Sequence, residues 1–204
     1  MTTEKLSTEE QILVAAKEVF MRKGYAGTRM QEVADAAGIN KAMLHYYYRS
    51  KEKLFRVILT EAMQIIEPML VRAISSDKTV LEKLEDLVRG YLAILKDKPY
   101  LPLFVMHELS QNQGQFIRER IDTRLHAPAA LGFMQQVIEE AEAGKIRSVH
   151  PLHLMMNTMS MIIFPFVARP MIETVAGVQG GEVDDMLAER EQHILDFLRR
   201  ALQP

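Results

Sequence analysis

Ala34, Gly38 and Leu44 stand at offsets 0, +4 and +10, and that triplet narrows the possible folds more than any other feature of the chain. Where two short helices cross, little beyond a methyl group fits, and Ala34 supplies it. Four residues later the chain must turn with a positive φ, which glycine adopts without a Cβ penalty. Leu44, together with Ile39, then buries beneath the first helix of the pair. Two short helices joined by a glycine-containing turn make a helix-turn-helix. An αα-corner inside a larger bundle satisfies the same spacing, so the outward-facing residues have to separate the two.

The second helix of the pair is predicted over about Lys41 to Tyr48. Asn40, Lys41, Ala42, His45 and Tyr46 project outward on it, while Met43, Leu44 and Tyr47 or Tyr48 point inward. Lys and Asn bond base edges or phosphates, and Ala and aromatic rings reach the thymine methyl. Burying all three phenols of Tyr46, Tyr47 and Tyr48 is costly, so at least one faces solvent. Charge is unevenly spread in the same sense. Residues 1–53 carry nine Lys/Arg and seven acids, a net of +2, whereas the rest of the chain nets −4. Residues 40–56 hold five bases and the single acid Glu52. A solvated face accounts for such a run as well as a phosphate-binding end does.

Around this segment the pattern is helix after helix. Ser7 and Glu10 form a capping box that opens a run of Ile12, Ala16, Val19 and Phe20, and Gly24 ends it. Thr28 starts the second helix, with Gln31 three residues on, and Gly38 stops it. Ser50 caps a fourth helix from Lys51 to about Pro68. Further helices are expected over Thr79 to Lys96, 103–112, 115–143 with a break at Pro128, 151–168, and Asp184 to Leu202. Gly177, Gly180 and Gly181 mark a loop before the last one. No alternating strand pattern occurs, so the fold class is all-α with about nine helices.

Composition removes several function classes. The chain has no cysteine, which excludes disulfide frameworks, thiolate nucleophiles and cysteine-ligated zinc. His107-Glu108 begins like a zincin helix, but Gln111 stands where the second histidine belongs. His150 and His153 lie three apart with Pro151 between them, and no metal site is expected there. No nucleophile elbow, P-loop or dinucleotide fingerprint is present, so neither an enzyme nor a cofactor is expected. Residues 151–168 are strongly apolar, yet His153, Asn157, Thr158, Ser160 and Pro165 interrupt them, which argues for burial in protein rather than membrane. Without a basic n-region followed by an apolar h-region, a cytoplasmic location is expected.

Ile12 to Phe20, Gly24 to Thr28, Val33 to Lys41 and Leu44 to Leu54 strongly resemble the DNA-binding head of the TetR family of transcriptional regulators. The resemblance covers roughly residues 8–56, with Ala42 where the family often has Gly and Tyr48 where it often has Phe. It implies a DNA-binding domain over 1–50 and a helical effector-binding and dimerisation domain over 51–204. It further implies that Thr28 caps the second helix and contacts phosphate, with Arg29 also at the DNA. Asn40, Lys41, Ala42 and His45 would face the major groove, and Tyr46, Tyr47 and Lys51 the DNA backbone.

The family also implies a homodimer built on the last two helices. Their apolar content exceeds what one small bundle needs, and Met156, Ile163, Phe164, Met186, Ile194, Phe197 and Leu198 are the expected interface. A ligand pocket is the remaining implication, with Met63, Leu92, Leu95, Phe104, His107, Phe116, Phe133, Met134, Met155 and Met159 as candidates. A core stripe at helical spacing reads the same way. The function expected is therefore a ligand-responsive regulator, most simply a repressor on a near-palindromic operator released by a small apolar effector. A helical small-molecule-binding module without DNA-binding activity is the alternative.

Overall fold

The computed structural model describes residues 6–111, 123–178 and 180–204, with nothing but helices and connecting turns among them. The order is α1 (Thr8–Gly27), α2 (Met30–Ala36), α3 (Lys41–Tyr47), α4 (Lys51–Ile74), α5 (Val80–Asp97), α6 (Leu101–Gln111), α7 (Thr123–Glu142), α8 (Pro151–Val167), α9 (Arg169–Ala176) and α10 (Gly180–Ala201). Phe116 and the expected helical stretch 115–122 lie outside the described residues. The first three helices form a head, and the others pack into a body built on the α4–α5 pair. A continuous cluster of buried side chains runs from Ile12 to Leu202, so head and body share one core.

The local rules that start and stop these helices are visible atom by atom. The Ser7 hydroxyl accepts from the Glu10 amide at 3.3 Å, and the Glu10 carboxylate accepts from the Ser7 amide at 2.8 Å. Thr79 and Glu82 repeat the arrangement at α5. There the Glu140 carboxylate, from α7, also accepts the Val80 amide at 3.1 Å, so a second helix helps satisfy the orphan donors. At the end of α2 the Gly38 amide donates to the Asp35 carbonyl and the Ile39 amide to the Ala34 carbonyl. That is a Schellman motif, and Gly38 sits in it at φ +68°. Gly24, at φ +67°, breaks the helical path inside α1 where the sequence places the stop.

Several boundaries depart from expectation. α4 continues through Pro68 to Ile74, and α6 begins at Leu101. The last helix opens at Gly180 rather than Asp184, and α9 is an additional helix with Pro170 in its first turn. Proline at a helix start loses nothing, because that amide has no intrahelical partner anyway. Pro165 inside α8 is different: its missing N–H leaves the Met161 carbonyl without the usual partner. The Arg190 guanidinium, from α10, fills the gap with two bonds of 3.2 and 3.1 Å. Among the described residues no single helix is long and apolar enough to cross a membrane, and α8 meets α9 at a 72° bend.

Gly38 and Gly132 should respond oppositely to the same change. A Cβ at either meets no neighbour, but only Gly38 needs a positive φ. Gly38→Ala is expected to lower stability by about 1–2 kcal/mol, and Gly132→Ala, inside α7, to raise it by about 0.5–1 kcal/mol, read as urea midpoints.

Candidate nucleic-acid interface

The head holds α3 on its outside. Ala34 and Leu44 are fully buried, which seats α3 across α2 as the triplet requires. Tyr48 closes the same seam from the end of α3: it is buried, and its hydroxyl donates to the Glu9 carboxylate at 3.0 Å. Burial, reinforced by that carboxylate, holds the Tyr48 hydroxyl well above the usual phenol range. With residues 44 and 48 inward, the rest of the helix faces solvent. Lys41, Ala42, Met43, His45, Tyr46 and Tyr47 are all exposed, Tyr46 to 83%. Met43 was expected inside and Tyr47 left open; both are out, because a seven-residue helix buries only one narrow stripe. Arg49, exposed at the α3–α4 joint, adds a cation that the sequence reading passed over.

Individual side chains carry more structural duty than the sequence suggests. Asn40 is exposed, but its Oδ1 accepts the Met43 amide at 2.7 Å as the N-cap of α3, leaving the amide NH2 as its remaining polar group. His45 places Nδ1 3.3 Å from the Arg49 carbonyl. A carbonyl can only accept, so Nδ1 carries the proton and Nε2 is the atom left for an incoming partner. Arg29 is exposed and is the N-cap of α2, its amide donating to Glu32 at 3.1 Å.

Two residues expected at the DNA also have partners within the chain. Thr28 does not cap α2; it is buried, and its hydroxyl donates to the Gly24 carbonyl at 2.7 Å. Lys51 does not stand free beside the α3 surface. Its ammonium donates to the Tyr25 carbonyl at 2.7 Å and the Thr28 carbonyl at 3.0 Å, and lies 4.4 Å from the centre of the Tyr25 ring. Residues 25–27 close α1 beyond its Gly24 kink and run with Thr28 into α2, so Lys51 ties this corner, the α1–α2 link, to the start of α4.

Comparison with known proteins places this head. The family described as "Bacterial regulatory proteins, tetR family" matches residues 12–58. The chain is 29% identical over 181 residues to the probable HTH-type transcriptional regulator YttP of Bacillus subtilis, covering 87% of this chain and 86% of that one. Residues 12–58 are a TetR-family head. The chain's fold matches the TetR-family regulator PfmR of Thermus thermophilus with a TM-score of 0.68 over 97% of each chain at 17% identity. It also matches AibR, solved with isovaleryl coenzyme A and operator DNA, with a TM-score of 0.59 at 22% identity, covering 78% of this chain and 86% of that one. The relatives are described as transcriptional regulators.

Among the described residues two apolar cavities stand out. One, of about 760 Å³, lies where α1, α4 and α6 meet the α8–α9 bend, and Phe104 and His107 are the expected pocket residues that line it. The second, of about 470 Å³, lies between α5 and α10 and takes in Leu92 and Leu95. Met63, Phe133, Met134, Met155 and Met159 line neither: Met63 and Phe133 are buried in the core, and Met155 and Met159 pack against it. The dimer expectation divides as well. Met156, Phe164, Met186 and Phe197 are exposed, and Ile163 is half-buried. Ile194 and Leu198 instead fill the chain's own core, because α10 is apolar on two faces and these residues occupy the inner one.

Lys51→Met keeps much of the side chain's length and removes both charge-assisted bonds. Such bonds contribute roughly 1.5–3 kcal/mol each, less when partly solvated. The variant is expected to unfold at lower urea by about 1.5–3 kcal/mol, with α1–α2 amides exchanging hydrogen faster than those of α5.

Proposed function

We propose that this chain binds a near-palindromic operator as a homodimer, represses the adjoining promoter by occupying it, and is released by a small, largely apolar effector. The exposed outer face of α3 carries this reading. Ala42 and Met43 offer apolar contact to thymine methyls, Asn40 and His45 offer polar atoms to base edges, and Lys41, Arg49, Tyr46 and Tyr47 flank them for phosphate. Arg29 adds a second cation at the start of α2. Lys51 and Thr28 support this face from behind, with at most a backbone contribution to the duplex.

A second copy supports the reading through the outer faces of α8 and α10. Met156, Phe164, Met186 and Phe197, with Leu152, give apolar side chains at helical spacing on adjoining helices. Pairing these faces buries them and repeats the head, and dimeric helix-turn-helix proteins set their heads about 34 Å apart, one duplex turn. Residues 1–50 then act as the reading unit and 51–204 as the sensing and pairing unit, in the cytoplasm where the duplex is. Effector release needs only modest coupling: roughly 2.7 kcal/mol between the two sites weakens operator binding a hundredfold.

Two measurements test the reading. Lys41→Glu is expected to abolish tight binding to duplexes selected from a random pool. It should also flatten the slope of log affinity against log salt by about 2, one phosphate lost per head. A slope unchanged from the parent removes α3 from the duplex and leaves the ligand-binding module standing. Phe197→Asp is expected to shift the chain to monomers in sedimentation without loss of helix content, and to lower operator affinity at least tenfold. A stable dimer in that variant would move the interface elsewhere.

A further inference from the structure

The larger cavity opens on the seam between head and body, and its walls belong to both. Tyr25, from the link that leads into α2, stacks on His107 of α6 with ring centres 4.4 Å apart and planes 28° from parallel. Phe55 of α4 stands edge-on to both, and Phe104 stacks on Phe55 at 4.9 Å. Tyr25 is also the residue whose carbonyl Lys51 holds, one position after the positive-φ hinge Gly24. Anything that displaces the Tyr25 ring therefore acts on the residue that fixes where α2 begins.

Two polar groups along the described lining are already engaged. The Arg169 guanidinium donates to Glu173, to Asp184 and to the Gly180 carbonyl. The Ser110 hydroxyl donates to the His107 carbonyl at 3.0 Å. His107 itself is held below the ordinary imidazole range by burial, against the Glu108 carboxylate and with the Lys51 ammonium adding to the effect. Near neutral pH its ring is uncharged. Aromatic and aliphatic walls with one neutral imidazole suit an uncharged, mostly apolar molecule, and about 760 Å³ is ample for a two- or three-ring compound. Among the described residues no uncommitted cation lines the space to receive a phosphate or sulfonate.

We infer that this seam cavity is the effector site, that it takes a neutral aromatic or otherwise apolar ligand, and that the ligand acts by competing for the face shared by Tyr25 and His107. Occupancy pries the Tyr25–His107 stack apart, strains the Lys51 tether and loosens the α1–α2 link, so the head no longer holds one orientation. The inference deepens the proposed function and rests on it only for the consequence at DNA; the site itself stands on the cavity.

The test is run on the full chain without DNA. N-phenyl-1-naphthylamine, neutral and brighter out of water, is titrated beside 1-anilinonaphthalene-8-sulfonate, which adds an anionic group to a similar ring system. The neutral probe is expected to bind once per chain and to outcompete the anionic one. Met106→Trp fills the cavity from α6 and is expected to weaken it by roughly tenfold or more, while Ala93→Trp, in the second cavity, leaves it unchanged. Amides of residues 25–30 are expected to exchange hydrogen faster when the neutral probe is bound to the parent chain, and not in Met106→Trp. Circular dichroism on each variant separates a filled cavity from a misfolded chain, and a Met106→Trp that loses helix content is replaced by Ser110→Trp at the same wall. Absence of neutral-probe binding, equal preference for the anionic probe, loss of binding on Ala93→Trp alone, or slower exchange at residues 25–30 each overturns the inference. Failure of duplex binding would overturn the regulator reading instead, and none of these measurements depends on it.

Discussion

One ammonium group joins three parts of the molecule. Lys51 starts α4, the longest helix of the body, yet two of its three N–H bonds end on carbonyls of the link between α1 and α2. The Tyr25 carbonyl already accepts the Thr28 amide at 3.3 Å, and Lys51 adds a charged donor both to it and to the Thr28 carbonyl. A cation on a flexible four-carbon stem can reach both at once, and the Tyr25 ring gives it an apolar face to lie on. The head is consequently oriented by the body rather than tethered to it. Without that orientation α3 would still be a helix, but its outward face would have no fixed relation to a second head.

Around this tether lies an aromatic group drawn from four places in the chain: Phe20, Tyr25, Phe55 and Phe104, with His107 completing it. Edge-to-face and offset pairs of this kind contribute beyond simple burial, and each is sensitive to small rotations of its partners. The cluster is therefore the join between head and body and, in the proposed mechanism, the place where an added ring acts. A bundle core of aliphatic side chains would join the same helices without offering that lever.

Features that depend on residues close in sequence were readable from it. Ala34, Gly38 and Leu44 specify a crossing, a left-handed turn and a buried anchor within eleven positions, and the structure contains all three. The capping box of Ser7 and Glu10 and the exposure of α3 belong to the same category. Contacts between distant residues were not readable. Lys51 and Tyr25 are 26 positions apart, and a lysine next to a basic run looks like a phosphate ligand until its partner is seen. Thr28 looks like a cap because threonine so often is one, yet its hydroxyl turns back to Gly24. On α10 the pattern offers two apolar faces, and only packing shows that Ile194 and Leu198 go inward while Met186 and Phe197 stay out. The seam cavity was the least legible, since its walls come from α1, α4, α6 and the α8–α9 bend, which no single stretch of sequence records.

Pro165 has a consequence for how rigidly two copies would be held. Because proline cannot complete the ladder near the end of α8, the Met161 carbonyl depends on the Arg190 side chain of α10. The guanidinium works there as a rivet between α8 and α10, both of which present large exposed apolar side chains. Neither helix can slide along the other without stripping that carbonyl of its donors, so a dimer gripping this face grips a stiff two-helix plate. In the proposed dimer, any widening between paired heads would then arise above the plate, at the seam, instead of by shear across the twofold axis.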